Sequence, residues 1–419
     1  MNILYVVPYV PNLIYIRSYS LIRYLSSQGH NVTLLTAWSK ASDSYDLKAL
    51  EGICSDIKAV HLSRWRSLWN CLVALPSRTP LQAVYCWHPE MARQMDDVVK
   101  YKNGQPPFDI VHVEHLRGAR YGLHFRSHNS DIPLVWDSVD CISLLFRRTV
   151  ESSKKIVSRW IARFDLSRTR KYEGRLLNQF DHVLITTQSD KEAISALAPQ
   201  TKPPCPITVL HNGVDLEALE PDSYARREPD TLVITGKMSY HANISMVMHL
   251  VYEIMPIVWA HRPDVKLWVV GKDPTKDILA LTENPRVTVT GMVPDVRPYL
   301  KKATVAVVPL VYGTGIQNKV LEAMACATPV VSTPHAMSAL QAVAGQDVIL
   351  ANEPHDFAEQ VIKLLDDPIC QQRIGQAGHQ YVVKYHRWEM IGSQLEGVYA
   401  ETIRSKSGRS TRDSAKNEN

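Results

Sequence analysis

The stretch Val308–Thr333, VPLVYGTGIQNKVLEAMACATPVVST, sets glycines, a lysine and a glutamate where a phosphorylated ligand could be held. An apolar run leads into Gly313-Thr314-Gly315, and a helix is predicted to begin near Ile316. Glycine lets the backbone turn tightly and approach a ligand closely. The first N–H groups of a helix are unpaired and carry the positive end of its dipole, so they bind anions. Lys319 lies one turn in and adds a full positive charge. Glu322, three residues further, shares its face. A carboxylate there can accept two hydrogen bonds from a ribose diol. The plainer reading is a tight strand–helix turn followed by a surface ion pair. No GxxxxGK[ST] loop is present, and the third glycine of GxGxxG is missing.

Two further clusters follow predicted strands, and ligands of open α/β sheets gather at the carboxyl ends of strands. Val111-His112-Val113-Glu114-His115 offers His112, Glu114 and His115 as groups that touch a substrate, or else a charged surface loop. Trp136-Asp137-Ser138-Val139-Asp140 offers Asp137 and Asp140 to orient a substrate hydroxyl, or else to cap a helix. His112-x-x-His115 has no third ligand at metal spacing. The seven cysteines are widely spaced with no CxxC, which fits a reducing cytosol rather than a disulfide framework or a zinc site.

Residues 147–175 hold ten Lys and Arg against Glu151, Asp165 and Glu173. Val157, Trp160, Ile161 and Phe164 fall at helical spacing beside them. A basic amphipathic helix suits an anionic membrane surface or a pyrophosphate-linked lipid. The alternative is a solvated face with an ordinary core stripe. No nucleic-acid reading module accompanies these charges, so no nucleic-acid partner is expected.

These groups must be positioned by regular elements, and 419 residues that are 45% hydrophobic suffice for two sizeable cores. Apolar runs at Ile3–Val7, Val32–Thr36, Asp109–Val113, Leu134–Trp136 and His182–Thr186 alternate with amphipathic stretches such as Tyr15–Ser27, Leu81–Lys102 and Leu144–Asn178. That alternation predicts a parallel sheet covered by helices on both faces. The segment PQTKPPCP at 199–206 reads as a linker, because proline breaks both helix and sheet. A second series then begins, with strands at Thr231–Thr235, Val265–Val270, Val287–Thr290, Thr304–Val308 and Pro329–Ser332. The prediction is α/β, with two doubly wound Rossmann-like domains over 1–203 and 206–385. A helix over 386–404 crosses back to the first domain, and 405–419 is a disordered polar tail. Residues 1–205 carry 26 basic and 18 acidic groups, and 206–400 carry 16 and 21, so the two domains should meet different partners. MNILYVVPYV reads as a buried first strand rather than a signal peptide. No run of about 20 apolar residues stands out as a membrane span.

Four segments occur in order: HNGVD at 211–215, ITGKMSYHAN at 234–243, VTGMVPDVRPYL at 289–300 and GTGIQNKVLEAMA at 313–325. Together they resemble the nucleotide-sugar half of glycosyltransferase family 4. The likeness is greatest to the sugar transferases associated with PEP-CTERM exopolysaccharide systems. The first domain resembles the family less, through Arg17-Ser18-Tyr19, the basic helix and Tyr172-Glu173. The resemblance implies the GT-B fold, two Rossmann-like domains facing across a cleft. It also implies retaining transfer of a sugar from a nucleoside diphosphate sugar to a glycan or lipid-linked acceptor, with neither metal nor cofactor, in the cytoplasm or on the inner face of the membrane. By motif, Glu322 would hold the ribose, and Gly313, Thr314, Gly315 and Ile316 would meet the diphosphate and sugar. Lys319 and Lys237 (after Gly236) would face the phosphates, and Gly291-Met292-Val293 would lie against the base. His112, Glu114 or His115 would touch the sugar, with Arg17, Asp137 and Asp140 on the acceptor side.

The chain departs from the family pattern at three places. Thr314 stands where the first Glu of E-x7-E is usual, and Ala242-Asn243 replaces a second phosphate lysine. Pro8-Tyr9-Val10-Pro11-Asn12 replaces a glycine-rich loop after the first strand. Two other functions fit the same residues: an epimerase or hydrolase acting on the nucleotide sugar alone, and a nucleotide-sugar-binding protein without catalysis.

Overall fold

The computed structural model describes residues 1–12, 15–101, 105–129, 131–152, 156–199, 204–216, 227–312 and 316–417. The chain forms two compact units, Met1–His211 with Trp388–Asn419, and Asn212–Arg387.

The first unit is built on seven parallel strands: β1 (Asn2–Val7), β2 (Asn31–Trp38), β3 (Asp56–His61), β4 (Ile110–Glu114), β5 (Leu134–Val139), β6 (His182–Ile185) and β7 (Ile207–Val209). Their order is β3-β2-β1-β4-β5-β6-β7, so the winding reverses between β1 and β4. Side chains alternate across a strand. Val111 and Val113 of β4 therefore join one core layer, while Ile110 joins the other. Both faces are buried, as a parallel sheet requires.

The predicted boundary at 203–206 needs correction. Ile207-Thr208-Val209 is β-branched throughout and pairs with β6, completing the first sheet before the chain leaves at His211. The predicted helix Leu81–Lys102 is two helices, Leu81–Tyr85 and Pro89–Val98. Pro89 lacks an N–H and suits the first position of a helix, not its middle.

The C-terminal helix Trp388–Asn417 packs on helix Ile16–Ser27. Gly392 permits the close approach, since a Cβ there would lie 2.1 Å from the Tyr24 ring. The helix continues past 404, where the sequence predicts a disordered tail from 405.

The second unit has six parallel strands: β8 (Glu228–Thr235), β9 (Lys266–Val270), β10 (Val287–Val289), β11 (Ala303–Val308), β12 (Val330–Ser332) and β13 (Ile349–Leu350). Their order is β10-β9-β8-β11-β12-β13, with the reversal between β8 and β11. The helical stretch His241–His261, interrupted by a π-turn at Leu250–Ile254, is long and apolar enough to cross a membrane. Here it is a core element: Met246, Leu250, Ile254 and Val258 are fully buried.

Candidate functional site

Crevices form where the strand order reverses, and both reversal points carry the polar residues singled out from sequence. In the second unit, β8 is followed directly by Gly236-Lys237, and β11 precedes helix Asn318–Ala325. Lys319 lies in the first turn of that helix. Its Nζ donates to Asn243 Oδ1 at 2.8 Å and Gln317 Oε1 at 3.4 Å. Asn243 in turn donates to the Lys237 carbonyl at 3.0 Å. A Cβ on Gly236 would lie 2.7 Å from Asn243 Nδ2, so glycine is needed for this approach. The residue replacing a family lysine therefore aims the remaining one.

Burial lowers the Lys319 pKa from 10.5 to about 8, with Glu322 opposing the shift. Burial likewise raises the Glu322 pKa to about 7. The two are not joined as an ion pair, and the half-buried Glu322 carboxylate has no hydrogen-bond partner among the described residues. The surface-ion-pair reading is thereby excluded. A cation and a carboxylate placed this way can meet a phosphate and a diol.

Lys237 is exposed, 3.9 Å from Asp273. Gly291 has φ +68°, Met292 is exposed, and Val293 packs on the core. Ile316 also packs on the core. Gly313, Thr314 and Gly315 lie outside the described residues.

In the first unit, the structure revises most of the predicted roles. His112 is fully buried: its ring stacks on Tyr5 at 4.2 Å and Nδ1 bonds the Tyr399 hydroxyl at 2.8 Å, while Nε2 has no hydrogen-bond partner and lies 3.9 Å from Asp137. Burial lowers its pKa to about 4, so it is neutral. Glu114 is 1% exposed and accepts hydroxyls from Tyr5 at 2.9 Å, Tyr9 at 2.5 Å and Ser18 at 2.7 Å. Burial and Asp137 raise its pKa, while Tyr9, Ser18 and Arg17 oppose them. Its oxygens are thus engaged by the protein.

Arg17 and Asp137 bind each other at 2.8 Å in the interior. Arg17 also donates to the carbonyls of Leu210 and His211, and Asp137 accepts from the Val139 N–H. The pair ties helix Ile16–Ser27 to β5 and to the segment after β7, so an acceptor-side role for either is not what the contacts describe. A paired, buried charge is costly to disturb.

His115 and Asp140 are the part-exposed members of the predicted set in this unit. His115 follows the last residue of β4 with φ +64°, a strained conformation for a non-glycine residue and one that clusters at functional sites. Its Nδ1 accepts from the Arg117 N–H at 3.3 Å, which leaves the proton on Nε2 as a donor. Burial and Arg117 hold its pKa down at about 3, so the ring stays neutral. Asp140 is half-buried, and burial together with Asp190 raises its pKa to about 7.

The stripe on the basic stretch faces outward. Ile156, Val157, Trp160 and Ile161 are exposed, Trp160 to 70%. Lys154 and Lys155 lie outside the described residues. A second helix, Arg64–Ala74, was not singled out from sequence and also exposes apolar residues, with Trp65 at 81%. Its signal was legible: Trp65, Leu68, Trp69 and Leu72 fall at i, i+3, i+4 and i+7, with Arg64 and Arg66 flanking Trp65. The hydroxyls of Tyr9 and Ser18 on Glu114 carried no local signal, because they meet it only through the fold.

Residues 16–218 match the family model "Glycosyltransferase Family 4", and residues 229–367 match "Glycosyl transferases group 1". A Corynebacterium glutamicum protein, a GDP-mannose-dependent monoacylated alpha-(1-6)-phosphatidylinositol monomannoside mannosyltransferase, is 31% identical over 158 residues. The match covers 34% of this chain and 41% of that relative. Sucrose-phosphate synthase from Thermosynechococcus elongatus superposes with a TM-score of 0.68 at 16% identity, over 97% of this chain and 100% of that one. Anabaena HepE in complex with UDP and glucose superposes at 0.64 and 13% identity, over 96% and 100%. Two doubly wound sheets and superpositions over nearly the whole chain give it the GT-B fold, with its N-terminal half matching the family 4 model and its C-terminal half the group 1 model.

Proposed function

We infer that the protein transfers a sugar, with retention of configuration, from a nucleoside diphosphate sugar to a glycan or lipid-linked acceptor. The observation carrying this reading is Lys319, clamped by Asn243 at the reversal point of the second sheet, one turn from the unpartnered Glu322. Lys319, the adjacent helix N-terminus and the exposed Lys237 meet the charge of the diphosphate, most strongly as it departs. Cations in these places serve without a metal ion. Glu322 accepts the ribose hydroxyls, and the base lies against Gly291-Met292-Val293. On the first unit, neutral His115 offers its Nε2–H as a donor to a sugar hydroxyl. The departing phosphate oxygen assists deprotonation of the acceptor, so no separate base is assigned.

The two outward apolar stripes, set among Arg159, Arg163 and their neighbours, support a peripheral enzyme on the cytoplasmic face of a membrane. A place in exopolysaccharide assembly fits that location and the PEP-CTERM resemblance. The mannosyltransferase relative, whose printed acceptor is a phosphatidylinositol glycolipid, supports a lipid-linked acceptor.

The test is incubation with UDP-, GDP- and ADP-sugars, with and without lipid extract. Acceptor-dependent release of nucleoside diphosphate, with the product anomer assigned by NMR, is the expected result. Release that ignores the acceptor would make the protein a hydrolase, conversion of the donor to an epimeric nucleotide sugar would make it an epimerase, and binding without turnover would make it a nucleotide-sugar-binding protein.

A further inference from the structure

Within the first unit, helices Arg64–Ala74, His115–His128 and Ile156–Leu176 enclose a cavity of about 680 Å³. Its lining residues lie on the helices and their connections, and His115 is not among them. Three guanidinium groups line it, those of Arg66, Arg120 and Arg175, and none of its lining residues is acidic. No ion pair involves any of the three among the described residues. Arg120 lies over the Trp87 ring at 4.4 Å, and Arg66 Nε is buried with no hydrogen-bond partner. A neighbouring carboxylate, Asp96, is taken by His124 at 2.9 Å. Concentrating three cations without a counter-charge is unfavourable unless an anion joins them. The planar fork of arginine matches two oxygens of a phosphate.

The cavity is also continuous with an apolar surface. Trp69 and Val73 line it, and both belong to the exposed row Trp65, Leu68, Trp69, Leu72 and Val73. These residues fall at i, i+3, i+4, i+7 and i+8, so one face of the helix points its apolar side outward. The basic helix lies alongside: Asp165 accepts the Leu81 N–H at 2.9 Å, and Arg168 donates to the Leu75 carbonyl. Free phosphate in solution would need the arginines but not the row of tryptophan and leucine. A phosphate at a bilayer surface uses both.

We propose that this cavity receives the phosphate of an anionic lipid headgroup, with the exposed face of helix Arg64–Ala74 set into the bilayer surface beside it. The proposal rests on the membrane reading above and not on the transfer reaction. Its volume exceeds what a bare ion needs and leaves room for a headgroup.

The test uses the full chain, sedimented with vesicles of phosphatidylcholine alone and of phosphatidylcholine with phosphatidylglycerol. Calorimetry with glycerol phosphate and with inorganic phosphate runs beside it. The key variant is Arg66→Lys with Arg120→Lys, which keeps both charges and removes both forks. General attraction to an anionic surface predicts no change for it; a phosphate receptor predicts about tenfold weaker binding to the phosphatidylglycerol vesicles. Arg175→Lys, on an exposed residue, carries the same test should the double variant fail to fold. Nucleoside diphosphate binding to the second unit serves as the control for an intact protein. Wild-type protein that ignores both vesicles removes the membrane reading and this site with it. Wild type and the lysine variants binding equally removes the site alone. Glycerol phosphate or inorganic phosphate binding without vesicle binding assigns the cavity to a free phosphate compound and overturns the lipid proposal.

Discussion

Lys319→Met separates a functional lysine from a structural one. Burial moves the lysine pKa from 10.5 to about 8. At ~1.4 kcal/mol for each tenfold, that is roughly 3 kcal/mol against the charged form. Methionine keeps most of the apolar stem and removes this term. It also loses the hydrogen bonds to Asn243 and Gln317, about 0.5–1.5 kcal/mol each. Asn243 Oδ1 is then left without its partner, at about 1–3 kcal/mol. The balance runs from about +1 to about −3 kcal/mol, so the unliganded variant should melt no more than roughly 10 °C below wild type. Donor binding has no such compensation. Losing a charged hydrogen bond to a phosphate costs about 1.5–3 kcal/mol, or roughly 10- to 150-fold in affinity. Thermal melts with and without UDP and GDP, followed by calorimetry on the nucleotide that stabilises wild type, measure both quantities. A variant that melts far lower yet binds nucleotide as wild type would show that Lys319 serves the fold, and the donor assignment would fail.

Glu322→Ala should weaken nucleoside diphosphate binding by a similar 1.5–3 kcal/mol while leaving deoxyribose analogues less affected, as a competition assay would read. Binding should have a pH window with a sign on each side. It falls below about pH 7 as Glu322 gains its proton, and above about pH 8 as Lys319 loses its own. Calorimetry across that range should show the acid limb vanish in Glu322→Gln, and a flat profile would contradict both assignments. Arg17→Met leaves Asp137 buried without its cation and should cost about 3–5 kcal/mol in a denaturant melt. His115→Gly should fold within about 1 kcal/mol of wild type, because glycine relieves the positive φ, while kcat drops. Turnover that survives in His115→Gly would remove the histidine from the sugar site.

The order of strands and helices was open to reading because apolar periodicity is local, and the ten strands read from it are all present. β3, β7 and β13 escaped: β3 is partly exposed, and the other two have three residues or fewer. The pattern that pointed to Lys319 and Glu322 was local too, three residues apart on one helix. What one sequence segment cannot express is which distant group occupies a side chain. His112, Glu114 and His115 are near neighbours along the chain with the same apparent chemistry. Tyr399, nearly three hundred residues away, takes His112, and Tyr5, Tyr9 and Ser18 take Glu114. His112 Nε2 is unpartnered but sealed in the interior, whereas His115, just past the strand end, is part-exposed and keeps Nε2 for a ligand. Likewise, a helical stripe of tryptophan and isoleucine has the same periodicity whether it faces a core or solvent. Tertiary packing turned Trp160 and Trp65 outward, because neighbouring elements bury the opposite faces of their helices.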